Sequence, residues 1–210
     1  MVGSKITLEI QSRKVIFVEG NDDKNFFDIL LKKQNMLNVS VLPINGKDQF
    51  NKVLPDIKEL PNFTEVTHLA IVRDKDQDDA FKSIINIFHK KMGFSLENLP
   101  AENGKFAKGK PKIGVFIMPG NSIDGCMLED LCLKTIENHP AIGCVNDFVS
   151  CLQRTDNPPN LKNISKIKTQ AFLAAQEEVV NSLGRGAQKD YWDLDSPCLE
   201  ELKTFLNHLR

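Results

Sequence analysis

The sequence has no Gly-x-Gly-x-x-Gly fingerprint, no Walker pattern and no Gly-x-Ser-x-Gly elbow. These absences disfavour a dinucleotide fold, a P-loop enzyme and a serine hydrolase of the elbow type. The five cysteines (Cys126, Cys132, Cys144, Cys151, Cys198) form an odd set with no CxxC pair and no zinc spacing. They read as buried reduced thiols, which leads to the expectation of a cytoplasmic protein. The four histidines, at 68, 89, 139 and 208, are scattered and are expected to be structural. No apolar run approaches the length of a membrane span, and Met1 to Arg13 lacks the apolar segment of a signal peptide. Neither sign of charge is in excess, with 27 Lys and Arg against 28 Asp and Glu. That balance argues against a broad basic face and leaves only local patches for an anionic partner.

What is present is a repeated alternation of strand and helix signals. At 210 residues and 41% hydrophobic, the chain is long enough for one domain with a real core. Val15-Ile16-Phe17-Val18 is an unbroken apolar run, as in a strand buried on both faces of a parallel sheet. It stops at Glu19-Gly20, and Asn21-Asp22-Asp23 then offers capping side chains to a helix carrying Phe26, Phe27, Leu30 and Leu31. Further strands are expected at Val39–Ile44, His68–Val72 and Ile113–Met118, and helices at Lys47–Leu60 (bent at Pro55), Ala80–Met92 and Met127–Ile136. Ile6–Ile10 alternates like a half-buried strand and is expected to pair antiparallel with Val15–Val18 as an edge.

Four alternations of this kind predict an α/β fold with a doubly wound, mainly parallel, Rossmann-like sheet. Residues 1–138 form this unit, with 94–112 as an inserted lysine-rich loop or hairpin. Residues 139–210 carry only helical patterns, at Ile142–Leu152, Ile164–Leu183 and Cys198–Leu209, and read as a helical C-terminal cover on the same domain. Gly184-Arg185-Gly186 is expected to end the second of these helices.

The chemistry is expected from acids at strand ends, because open α/β sheets place ligands beyond the carboxyl ends of their strands. Asp74 and Asp76 follow the third strand two residues apart, so both carboxylates can point to one side and share an ion. Two close anions need a cation or a proton between them. Oxygen ligands without His or Cys favour a hard ion, Mg²⁺ or Mn²⁺. Glu19 ends another buried strand. Glu129 and Asp23 stand near helix starts, where each can be either a metal ligand or an acid held by the helix dipole. Asp78 and Asp79 read as the start of the following helix.

Val18-Glu19-Gly20 closing one strand, Asp74-x-Asp76 closing a later one, and the four-strand rhythm together resemble the Toprim domain of topoisomerases, bacterial primases and certain nucleases. The pattern Val-Glu-Gly-x-x-x-acid, met by Glu19 and Asp23, and the later helix acid, met by Glu129, are similar to OLD-type nucleases and small stand-alone Toprim proteins. The resemblance spans roughly residues 13–138. It implies Mg²⁺-dependent cleavage of nucleic acid, DNA ahead of RNA. Asp74 and Asp76 would hold a metal, Glu129 and Asp23 would complete one or two sites, and Glu19 would be a ligand or the catalytic acid/base. The ATPase segment that precedes the domain in OLD proteins is not matched, which brings in a separate ATPase as an expected partner. Topoisomerase activity is disfavoured, since no tyrosine-bearing cleavage domain accompanies the motifs.

An anionic substrate also needs cations. Lys105, Lys108 and Lys110, with Lys112, crowd the inserted loop, and Lys166, Lys168 and Arg185 lie in the helical tail. Each can contact phosphate or simply be solvated. Alternatives to a nuclease are a non-catalytic phosphate- or nucleic-acid-binding module, a subunit acting with the ATPase, and a phosphohydrolase using Asp74 as nucleophile.

Overall fold

The computed structural model describes residues 8–75 and 79–210, apart from the side chain of Lys47. Its centre is a five-stranded sheet in the order β2-β1-β3-β5-β4. The strands are β1 (Lys14–Val18), β2 (Ser40–Pro43), β3 (His68–Asp74), β4 (Lys105–Phe106) and β5 (Lys112–Met118). β1 runs parallel to β2 on one side and β3 on the other, β3 runs parallel to β5, and only β4 is antiparallel. The fold is therefore a doubly wound α/β sheet with one antiparallel edge. The winding reverses between β1 and β3, so the carboxyl ends of those two strands flank the crevice where such sheets take their ligands.

Parity along the strands explains why both faces are buried. Ile16, Val18, Ala70, Val72, Phe116 and Met118 face one way into a core with the long first helix and the C-terminal helices. Val15, Phe17, Leu69, Ile71, Val115 and Ile117 face the other way onto the segments before and after β3. Side chains of this kind each contribute about 1.5–3 kcal/mol when fully buried, so both faces of the sheet carry a stabilising core.

The helices are α1 (Asn21–Lys33), α2 (Phe50–Val53), α3 (Ala80–Asn86), α4 (Leu128–Thr135), α5 (Ala141–Gln153), α6 (Ile164–Ala174), α7 (Leu183–Gln188) and α8 (Glu200–Asn207). The tail packs on the sheet through Trp192, 1% exposed, with Phe172, Leu202, Phe205 and Leu206 in the same core as Ile16 and Val72. Phe205 also stacks on Phe106 and Phe116, at ring separations of 4.8 and 5.3 Å, which covers the β4 edge.

Several expectations need correction. The described residues 8–10 are not a strand, and both edges of β1 are already taken by parallel neighbours, so no antiparallel edge can form there; Ile6 and Thr7 lie outside the described residues. The Lys47–Leu60 pattern breaks into 3-10 turns around the short α2, since Pro55 brings no N–H to a helical ladder. The helix expected over Ala80–Met92 changes after Asn86 into a π turn, Ile87–Lys91. Within residues 94–112 the short β4 pairs antiparallel with β5, Lys105 opposite Val115 and Phe106 opposite Gly114. The helix expected over Ile164–Leu183 ends at Ala174, and α7 begins at Leu183, so Gly184-Arg185-Gly186 lies in a helix's first turns and ends none. The reason is packing: a Cβ on Gly184 would lie 2.6 Å from the Asp22 carbonyl oxygen, so glycine lets α7 close onto α1.

Candidate functional site

The acids at the strand ends are brought together by three crossings of the chain. Glu19 leaves β1, and the loop after β2 is tied over it by hydrogen bonds from Ile44 N to Val18 O (3.0 Å) and Gly46 N to Glu19 O (2.8 Å). Glu19 Oε2 is buried. Asp23, in the first turn of α1, accepts a bond from Gly20 N at Oδ2 (2.9 Å), which fixes the turn by which the chain leaves the strand.

The second crossing is at the end of β3. Lys75 N donates to Cys126 O at 2.8 Å, so the loop after β5 docks beside the strand end. Asp74 Oδ1 then accepts the Leu128 N–H at 3.1 Å, an otherwise unsatisfied donor of the α4 N-terminus. Glu129 follows in that first turn. The third crossing uses Asp130, whose Oδ2 accepts from Cys126 N and Met127 N while its Oδ1 accepts from Ser165 Oγ. This ties the start of α6 to α4, and Lys166 Nζ comes to 3.7 Å from Glu129 Oε1.

Together these residues enclose a cavity of about 290 Å³ lined by Glu19, Asp23, Asp74 and Glu129, with Lys166 at its side. The electrostatics follow from burial and crowding. Burial, then the Glu19 charge, pushes the Asp23 carboxyl up to about 7. Burial, then Asp23, Glu19 and Glu129, pushes Asp74 up to about 8. Glu129 is also raised, chiefly by burial, with Lys166 opposing. The hydrogen bonds from Gly20 and Leu128 act the other way and are outweighed. Near neutral pH this cavity therefore holds protons where isolated carboxylates would hold none.

The other residues singled out by sequence are placed as follows. Asp76 and Asp78 lie outside the described residues. Asp79 caps α3, accepting from Lys82 N at 3.0 Å. Lys105 is exposed on β4, at the far edge of the sheet from β1. Lys108 and Lys110 are exposed where the chain runs back to the start of β5, at the end of the sheet opposite the carboxylates. Lys168 is half-buried on α6, two residues and so about 200° round the helix from Lys166. Arg185 is exposed on α7 and does not line the cavity.

Sequence reasoning gave Asp22 a capping role on its own helix. Its carboxylate instead holds Leu183 N (2.8 Å) and Gly184 N (2.6 Å), capping the start of α7. The special position of Lys166, compared with Lys168, was also missed. Neither had a local signal: the partners are 161 residues away for Asp22 and on another helix for Lys166.

Among the described residues, no three His, Cys, Asp or Glu side chains already stand in a metal-holding group. The donor set nevertheless suits a hard cation in its chemistry, being all oxygen, half-buried and mutually repelling. Among the described residues, no helix is long and apolar enough to cross a membrane.

Fold and site together define a class: a doubly wound α/β domain with a carboxylate-lined cavity at its switch point. Within that class, the chain belongs to the family described as "Protein of unknown function (DUF3226)", which matches residues 13–210. No curated protein matches it. Among solved structures, it is similar to the C-terminal region of the OLD protein of Xanthomonas campestris pv. campestris. Crystals of that region phased with iodine give 16% identity and a TM-score of 0.46, covering 95% of this chain and 97% of that one. Crystals phased with mercury give 16% and 0.45 over the same shares.

Proposed function

We propose that the cavity binds Mg²⁺ or Mn²⁺ and that the chain performs metal-dependent phosphodiester cleavage of nucleic acid. The observation that carries this reading is the convergence of Glu19, Asp23, Asp74 and Glu129, from the ends of β1 and β3 and the starts of α1 and α4, on one cavity. The sequence resemblance to Toprim nucleases supports the same chemistry. These four carboxylates would hold the cation, with Asp76 as a further ligand. A bound divalent ion would supply charge neutralisation at the scissile phosphate.

The chain's own residues have definite tasks in this account. Asp23 and Asp74 carry protons until a cation replaces them, which limits their repulsion in the metal-free protein. The bonds from Gly20 and Leu128 orient these carboxylates, leaving each a second oxygen for a ligand. Lys166 is poised to bind a phosphate oxygen beside Glu129. Glu19 is the proposed acid/base, set at the strand end where it can meet the attacking or leaving oxygen. Since no P-loop pattern is present in this sequence, a separate ATPase subunit would supply any ATP-driven step.

The test is a cleavage assay on labelled single- and double-stranded DNA and RNA with Mg²⁺ or Mn²⁺. Wild type should cut at least one of them, and Glu19→Gln and Glu129→Gln should lose at least 100-fold in rate while melting as wild type does. Cleavage that persists in both variants, or that survives excess chelator, would refute the assignment.

A further inference from the structure

Beside the acidic cavity lies a second, larger one of about 1060 Å³, and its described lining is basic. Lys52, Arg73, Lys91 and Lys162 contribute positive charge, and Asp48 is the single acid among the described lining residues. The two cavities meet along two consecutive pairs: Arg73 lines one and Asp74 the other, and Met127 lines one and Leu128 the other. The chain entering α6 spans both, with Lys162, two residues before the helix, on the basic side and Lys166, in its first turn, on the acidic side.

The basic cleft is partly built and partly available. Arg73 is 8% exposed, lies over the Phe50 ring at 5.5 Å and donates from Nε to Asp74 O at 3.3 Å. Its position is therefore fixed to the strand end that carries the acid. Lys91 Nζ donates to Asn51 O at 3.3 Å, holding one wall. Lys52 and Lys162 are exposed and form no ion pair with any described carboxylate. Two ammonium groups that line one cleft without a described carboxylate partner are available to an anion. A carboxylate-lined cavity cannot by itself attract a polyanion, and a run of cations leading up to it supplies that attraction.

We infer that this cleft is a track for the sugar-phosphate backbone of a polynucleotide, delivering one phosphodiester to the carboxylate cavity next to it. This rests on the phosphodiester reading above and adds to it the path of the substrate. Lys52 and Lys162 bind successive phosphates as point charges, and Arg73 marks the boundary between binding and reaction. The contacts are to backbone, so affinity should be independent of base sequence and strongly salt-dependent.

The experiment is anisotropy of fluorescein-labelled single-stranded and duplex 20-mers in EDTA, across a KCl series. It compares wild type with Lys52→Gln, Lys162→Gln and the double variant. Both positions are exposed, so the fold should be unaffected, and Trp192 emission checks this. At 0.1 M salt the double variant should bind at least tenfold more weakly, and its log–log salt slope should be shallower by about 1.4–1.8. Mg²⁺ binding by calorimetry should be unchanged in these variants. Wild-type affinity and slope in the double variant would overturn the track. So would binding of pyrophosphate or a mononucleotide as tight as that of the 20-mers, since the cleft would then serve a small phosphate. Lysine-dependent 20-mer binding without any Mg²⁺ binding would leave the track standing and remove the catalytic reading.

Discussion

Replacing Asp74 by Asn tests the electrostatics of the acidic cavity without dismantling it. Asn keeps an Oδ1 acceptor for the Leu128 N–H, so the bond that seats α4 survives. In the unfolded chain Asp74 ionises near 3.8, whereas burial and its acidic neighbours raise it to about 8 in the folded metal-free protein. A carboxyl raised in this way stabilises the fold fully below its unfolded value, and that stability is lost as pH climbs through the folded value. Between the two values the loss is about 1.4 kcal/mol per pH unit, because the folded protein keeps a proton that the unfolded chain gives up. From pH 5 to pH 7 Asp74 alone accounts for about 3 kcal/mol by this reasoning. Asp23, raised to about 7, adds a similar slope that partly reflects the same repulsion. Wild type should thus lose about 3–5 kcal/mol over this range, and Asp74→Asn should lose only about 1–2. His68, held below its ordinary value mainly by burial, works in the opposite direction, but equally in both proteins. Urea unfolding in chelator, followed by the single buried tryptophan, Trp192, reads the difference directly. Equal slopes for wild type and variant would show that Asp74 is not in a charge-repelling cavity.

Other predictions concern the joints that hold the site. Asp22→Ala should leave the Leu183 and Gly184 N–H groups without their acceptor and cost about 1–3 kcal/mol, seen as a Tm lower by several degrees. A Tm within a degree of wild type would mean that water caps α7 equally well. Gly184→Ala should destabilise by about 1–3 kcal/mol, because its Cβ would meet the Asn25 Cβ at 2.5 Å and the Asp22 backbone at 2.6 Å. Unchanged unfolding would show that α1 and α7 can separate freely. Ser165→Ala releases α6 from Asp130, so a Lys166-dependent cleavage rate should fall while the melting temperature moves by no more than a few degrees.

The strands were legible because a parallel strand covered on both faces is an unbroken apolar run, and β1, β3 and β5 each show one. Glu19, Asp74 and Glu129 were legible for a related reason, as the acids placed where such runs stop or the next helix starts. Elsewhere the periodicity misled. The apolar spacing over Lys47–Leu60 is helical, yet the segment runs as 3-10 turns around the short α2, with Pro55 lacking the N–H for a continuous ladder. Lysine density pointed to the 94–112 loop, whereas among the described residues the cation lining the acidic cavity is Lys166, and Lys52, Arg73, Lys91 and Lys162 line the basic cleft. Their grouping depends on how α2, β3 and α6 approach one another, and no local pattern records that. The same is true of Asp22, which looked like a cap for its own helix and caps another.

The most direct test of the carboxylate site is calorimetric titration of Mg²⁺ and Mn²⁺ at pH 7 in buffers of different ionisation enthalpy, for wild type and Asp74→Ala. Because Asp23 and Asp74 hold protons that a cation must displace, binding should release about one proton per ion, and Asp74→Ala should abolish or severely weaken it. No binding of either ion even with oligonucleotide present, or binding left intact in Asp74→Ala, would contradict the account.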